Sequence, residues 1–249
     1  MTVFILVRRR SLDLLVPLLL AFLFVLARAP GEALLVTSPG GAVRSGDLGR
    51  PEVSLMVNVD WGEEFIPSML DVLDQKGVKV TFFVVGGWAR KNQELLKEMS
   101  RRGHEIGSHG ELHKLATQLD DRALDWLISE GITTLSTVLG CDPAPLFAPP
   151  AGDCDDRVVR AAERFGCVTI LWTVDTVDWK RPPAATIVER AVGRSANGSL
   201  LLMHPTKPTL QALPTVIDGL RKKGLEPVVV SRAIAPSTSA SSRAPGALR

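Results

Sequence analysis

The sequence predicts an α/β fold in which a parallel sheet is covered by helices. Segments of strand character alternate along the chain with segments of helical spacing. The strand candidates are near-continuous apolar runs, the pattern of strands buried on both faces. The length, 249 residues, is that of one large α/β domain. Periodicity alone leaves an open sheet and a closed barrel both available.

At the N-terminus, Arg8, Arg9 and Arg10 precede an apolar run over 14–27, the charged-then-apolar order of an export signal. The run is shorter than the roughly 20 apolar residues of a comfortable membrane span. A small-x-small site stands at Ala27-Arg28-Ala29, with Pro30 behind it. Residues 1–30 therefore read as a signal peptide or a retained membrane anchor, and the protein as exported. Residues 31–51, rich in Gly, Ser and Pro, read as a linker.

The domain is expected over 52–234. Its first strand covers 53–59 and is followed by a helix over 66–75 that closes at Gly77. A β-branched and aromatic strand covers 78–85, and a helix over 93–102 closes at Gly103. Amphipathic helices follow over 119–139 and 155–165, then a strand over 168–174 and a helix over 184–192. A short apolar strand over 199–203, a helix over 209–223 with Gly224 at its cap, and a strand over 227–230 complete it. Residues 235–249 are of low complexity and read as a disordered tail. The net charge is +2 with scattered basic residues, which gives no reason to expect nucleic acid as a partner. Cys141, Cys154 and Cys167 are an odd number without CxxC spacing, read as small buried apolar residues, with one bridge, for example Cys141 to Cys154, left open.

In parallel α/β folds ligands bind beyond the carboxyl ends of the strands. The polar groups there are Asp60, His109 and His113, the Ala148-Pro149-Pro150 turn, 175–179 and His204. His109 and His113 lie four apart, the spacing that puts two imidazoles on one face of a helical turn within reach of a shared metal. Zinc is the first expectation, with cobalt or nickel also suited to imidazole nitrogen. Asp60 ends an apolar strand and either caps the next helix or faces the site as a base. His204 ends LLLMH and is either a satisfied core histidine or, placed opposite the first strand of a closed barrel, an acid-base group. Asp178 is placed to orient it, and Trp179 is either core or the wall of an apolar pocket.

The stretches VNVDWG, KVTFFVVG, GHEIGSHGELH, APPAG, LWTVDTVDW and LLLMH resemble, in order and spacing, the motifs of the NodB-homology polysaccharide deacetylases, carbohydrate esterase family 4. The resemblance implies a distorted (β/α) barrel and metal-dependent removal of N-acetyl groups from a polysaccharide such as peptidoglycan or a chitin-type oligomer. By it Asp60 matches the catalytic base, His109 and His113 the metal-binding histidines, His204 the general acid and Asp178 the residue that tunes it. Trp179, Leu201 and Pro150 match substrate-binding positions, the first two as walls of the acetyl pocket.

The chain departs from the family pattern twice. Trp61 stands where a second aspartate supplies the third metal ligand, and Ala148 where an arginine holds the catalytic aspartate. Without that cation the Asp60 pKa should sit higher than in relatives. Glu63, Glu64, Asp153 and Cys154 are the candidates for a substitute ligand. Two functions are carried forward: a cell-envelope deacetylase, and an impaired relative that binds envelope glycan. A hydrolase of a non-sugar amide is a third.

Overall fold

The computed structural model describes residues 41–236. The leader or anchor read from 1–30, residues 31–40 of the linker, and the tail from 237 onward lie outside them. Strand β1 (Glu52–Val59) is buried along its whole length. Val53, Leu55, Val57 and Val59 belong to the apolar core beneath the helices. Strand alternation turns Ser54, Met56 and Asn58 the other way, into the barrel. Helix α1 (Ile66–Lys76) ends where Gly77, at φ 61°, returns its N–H to the carbonyls of Asp74 and Leu73.

The chain continues through β2 (Thr81–Val84), α2 (Gly86–Lys91), α3 (Gln93–Arg101), β3 (Glu105–Ser108) and α4 (Asp121–Leu139). It then forms β4 (Leu146–Phe147), α5 (Asp156–Arg164), β5 (Val168–Thr169), β6 (Val174–Asp175) and α6 (Ala184–Arg194). Strand β7 (Ser199–Met203), α7 (Lys207–Lys222), β8 (Glu226–Val228) and α8 (Val230–Ile234) close it. Side chains cap three of the helices: Asp120 accepts from the Ala123 N–H, Asp155 from Val158 and Thr206 from Thr209.

The strands run parallel in the order β5-β4-β3-β2-β1-β7-β6, with β8 also joined to β1. The sheet curls into a half-barrel wrapped by helices, the distorted (β/α) barrel expected. The strand expected over 168–174 is instead two short ones. Ile170 N bonds Phe147 O on the β4 side and Thr173 N bonds Leu200 O on the β7 side, so 170–173 cross from one edge of the sheet to the other. Nor does β7 lie opposite β1. It is hydrogen-bonded beside it, Val53 against Ser199 through Val57 against Met203, which brings His204 next to the end of β1.

The segment from Gly41 to the start of β1 is not a free linker but part of the body. Val43 bridges to Ile170 and Ser45 to Ser199, and Gly46 N bonds Gly198 O at 2.8 Å. A Cβ at Gly46 would lie 2.5 Å from the Ala233 carbonyl oxygen, so glycine permits that approach. The Arg50 guanidinium donates to the carbonyls of Arg232, Ala233 and Ala235.

Candidate functional site

A groove of about 360 Å³ opens at the carboxyl end of the strands. Asn58, Asp60 and Trp61 line it from β1 and its following loop, His109 and His113 from the loop after β3, and Ala151 from the turn after β4. Trp172, Asp175, Trp179, Leu202 and His204 complete it.

His204 is the most firmly held of these. Its Nδ1 lies 2.8 Å from Asp178 Oδ1. The other oxygen of Asp178 accepts from the His204 backbone N–H and from the Thr209 hydroxyl, each at 2.6 Å. Asp178 is fully buried, and these donors offset the cost of taking its carboxylate out of water. The tight turn that delivers Asp178 is strained, because Val177, a β-branched residue, sits at φ 54°. Asp175 Oδ1 accepts the Val177 N–H at 2.7 Å and Arg190 holds the Thr176 carbonyl at 2.9 Å, tying that conformation down.

His109 is buried, and its Nδ1 lies 2.6 Å from the Ala148 carbonyl oxygen. A carbonyl only accepts, so Nδ1 carries the proton and Nε2 keeps its lone pair. Burial pushes the His109 pKa down to about 3, against the pull of that hydrogen bond, so the ring is neutral at ordinary pH. His113 meets it edge to face, ring centroids 5.2 Å apart. The two do not share a helical turn, as their spacing suggested. Residues 109–115 are irregular, and Gly110 at φ 78° turns the chain there. Glu111, fully buried between them in sequence, is gripped by the Arg90 guanidinium and by the Thr134 hydroxyl at 2.9 Å. Tertiary anchoring, rather than helix periodicity, brings the imidazoles together.

Asp60 does not cap α1. That helix has Phe65 in the cap position and no side-chain cap. Burial by the groove walls raises the Asp60 pKa, with His113 and Lys91 acting the other way. Trp61 stacks on His204, planes 4° apart and centroids 6.0 Å. The close approach of the two loops depends on Gly62, at φ 84°, where a Cβ would fall 2.2 Å from the Pro205 carbonyl oxygen.

The polysaccharide deacetylase family model matches residues 45–170. The chain belongs to the polysaccharide deacetylase family. It is 34% identical over 182 residues to the uncharacterized protein YlxY of Bacillus subtilis, covering 73% of this chain and 57% of that protein's length. It is 32% identical over 185 residues to a peptidoglycan-N-acetylglucosamine deacetylase of Bacillus cereus, 72% of this chain and 67% of that one. Among solved structures, wild-type BA3943, a carbohydrate esterase family 4 pseudoenzyme from Bacillus anthracis, superposes with a TM-score of 0.76 at 32% identity, over 79% of this chain and 69% of its own. A BA3943 mutant described as having restored enzymatic activity matches at 30% identity and the same TM-score, over 79% of this chain and 72% of its own.

Membership in the polysaccharide deacetylase family raises the question of whether this donor set fits a metal. Among the described residues no three His, Cys, Asp or Glu side chains converge as ligands. The His109–His113 pair is present, but its neighbour Trp61 offers an indole, which has no lone pair for a cation. The substitutes considered from the sequence are engaged elsewhere or point to solvent. Glu63 accepts from the Trp88 indole N–H at 3.2 Å, and Asp153 from the Thr117 N–H and hydroxyl at 2.8 and 2.9 Å. Glu64 is exposed, and the Cys154 thiol lies 3.7 Å from the Asp155 carbonyl. The residues therefore do not make the closed donor set of a resident zinc, cobalt or nickel ion.

Two substrate-binding expectations also need correction. Leu201 is in the core beneath the helices, and it is Leu202 that lines the groove. A one-residue shift along a strand changes the face. Pro150 is buried, and Ala151, turned outward at φ 56°, takes the lining position. Trp179 does line the groove and is half exposed. Asp175, expected beyond its strand end but given no role, also lines the groove, whereas Trp172 and Asn58 were not singled out from the sequence. Asn58 had a readable signal: it is a polar residue inside an apolar strand, two before Asp60 and hence on the same face. The three cysteines are all free thiols, with Cys141 exposed and Cys167 buried.

Proposed function

We propose that this protein binds an N-acetylated cell-envelope glycan, of the peptidoglycan or chitin type, in a groove whose deacetylase chemistry is impaired at its metal corner. The observation that carries this reading is Trp61: in the place of a ligand it presents an indole stacked on His204. With Trp172 and Trp179 it gives the groove three indole surfaces, the kind of apolar face on which sugar rings pack. The names of the relatives supply the substrate class, since several act on peptidoglycan or chitooligosaccharide. The export read from residues 1–30 suits such a substrate and is part of the proposal, as is attachment to the membrane through that segment.

A second reading, a working deacetylase, is favoured by the hydrogen-bonded His204–Asp178 pair with Asp60 in the same groove. One set of measurements separates the two. The purified protein is titrated with N-acetylglucosamine oligomers with and without chelator, and acetate release is followed with added zinc or cobalt. Binding that survives chelation, without acetate release, is expected. Acetate release with added metal that is lost on Asp60→Asn would establish the second reading instead, and failure to bind any oligomer would remove the first.

A further inference from the structure

The floor of the groove holds a polar group that none of the roles above uses. Asn58 is 5% exposed, yet it lines the groove. Its Oδ1 is fully buried with no hydrogen-bond partner, and among the described residues its carboxamide enters no side-chain hydrogen bond. A structural asparagine in a strand interior would be tied to a neighbour, because an unpaired buried amide costs free energy comparable to a lost hydrogen bond. This one is tied at neither end, and with Oδ1 closed off from solvent the NH₂ is the end left to meet a ligand in the groove.

Its surroundings define what it can meet. Asp60 lies two residues on, on the same face of β1. Leu202 and Trp179 are apolar surfaces of the same groove. A ligand group suited to this floor carries a hydrogen-bond acceptor next to a small apolar end. An acetamido group is that combination, with a carbonyl oxygen beside a methyl. We infer that Asn58 is the donor that reads the acetyl carbonyl, making it a specificity residue for N-acetylated over free sugars. The inference rests on the glycan-binding reading and adds the group by which the glycan is selected.

The test is a calorimetric titration of wild-type protein and of Asn58→Leu, Asn58→Ala and Asn58→Asp with β-1,4 oligomers of N-acetylglucosamine and of glucose. Loss of one neutral hydrogen bond is expected to weaken the acetylated oligomer about tenfold in Asn58→Leu and leave the glucose oligomer unchanged. Asn58→Ala, which asks less of the packing, is expected to do the same. Asn58→Asp replaces a donor by a carboxylate facing a carbonyl and is expected to lose more than either. Equal loss for both oligomers, no loss, or tighter acetylated binding by Asn58→Asp would overturn the role of Asn58 while leaving glycan binding standing. Absence of binding by the wild-type protein would overturn both.

Discussion

The two imidazole corners of the groove are each secured by a fully buried carboxylate, and they differ in what that carboxylate touches. Asp178 holds its histidine directly, through Nδ1 and the backbone N–H of His204. The Glu111 carboxylate hydrogen-bonds to neither His109 nor His113. It pins the loop between them to Arg90 and Thr134, and Gly86 leaves room for it, since a Cβ there would meet its oxygen at 2.1 Å. The His204 corner is thus tied through both oxygens of its carboxylate. The imidazole-pair corner has its loop anchored, but no third His, Cys, Asp or Glu among the described residues converges on it. A loop can thus be held in place by a carboxylate that leaves the imidazoles themselves free of it.

The sharpest way to break this comparison is Trp61→Asp. If a donor is all that separates the corners, zinc affinity should rise by at least about tenfold, measured by titration and by metal content of the purified protein. Unchanged affinity would mean that the imidazole pair is misaligned as well. Next in size are the two anchors. Asp178→Ala strands buried donors and should lower unfolding stability by about 3 kcal/mol in urea. Glu111→Ala should cost less, about 2 kcal/mol, because its partner Arg90 is half exposed and can reach water. A reversed order would contradict the view that His204 has the firmer mount.

His104 offers a control outside both corners. Burial lowers its pKa to about 4, and its Nδ1 accepts the Val80 N–H at 3.2 Å. Because the folded pKa lies below the unfolded one, its contribution is present above about pH 6.5 and is lost as pH falls toward 4. His104 alone should lower stability by about 2 kcal/mol on going to pH 5, and His104→Gln should remove that part of the slope while leaving the part due to His109. Gly62→Ala, which sets a Cβ against the Pro205 backbone carbonyl at a positive φ, should cost about 3 kcal/mol or more. Its diagnostic is a change in tryptophan fluorescence as Trp61 is moved off His204. Unaltered emission would show that the stack does not depend on the close approach to Pro205.

Much of this was legible in the sequence. Apolar runs and capping residues located β1, β7 and the longer helices, because burial and unpaired helix ends impose local patterns. The motifs brought Asp60, His109, His113, His204 and Trp179 to one groove. What failed was whatever depends on tertiary contact. Leu201 and Leu202 are the same residue type, so only the observed face tells them apart. The His109–His113 spacing imitates a helix that Gly110 forbids. The run over 168–174 looks continuous, and only its two different neighbours divide it. Helices α2 and α8 are too short, at 6 and 5 residues, to show a period.

The clasp of Arg50 on the Ala235 carbonyl has a practical side. It brings the point where the chain enters the barrel beside the point where it leaves. Both are at the foot of β1, whose 8 residues put the groove about 25 Å away at roughly 3.3 Å per residue. A probe attached at Arg50 or at Ala235 would therefore sit at the far end of the barrel from the groove.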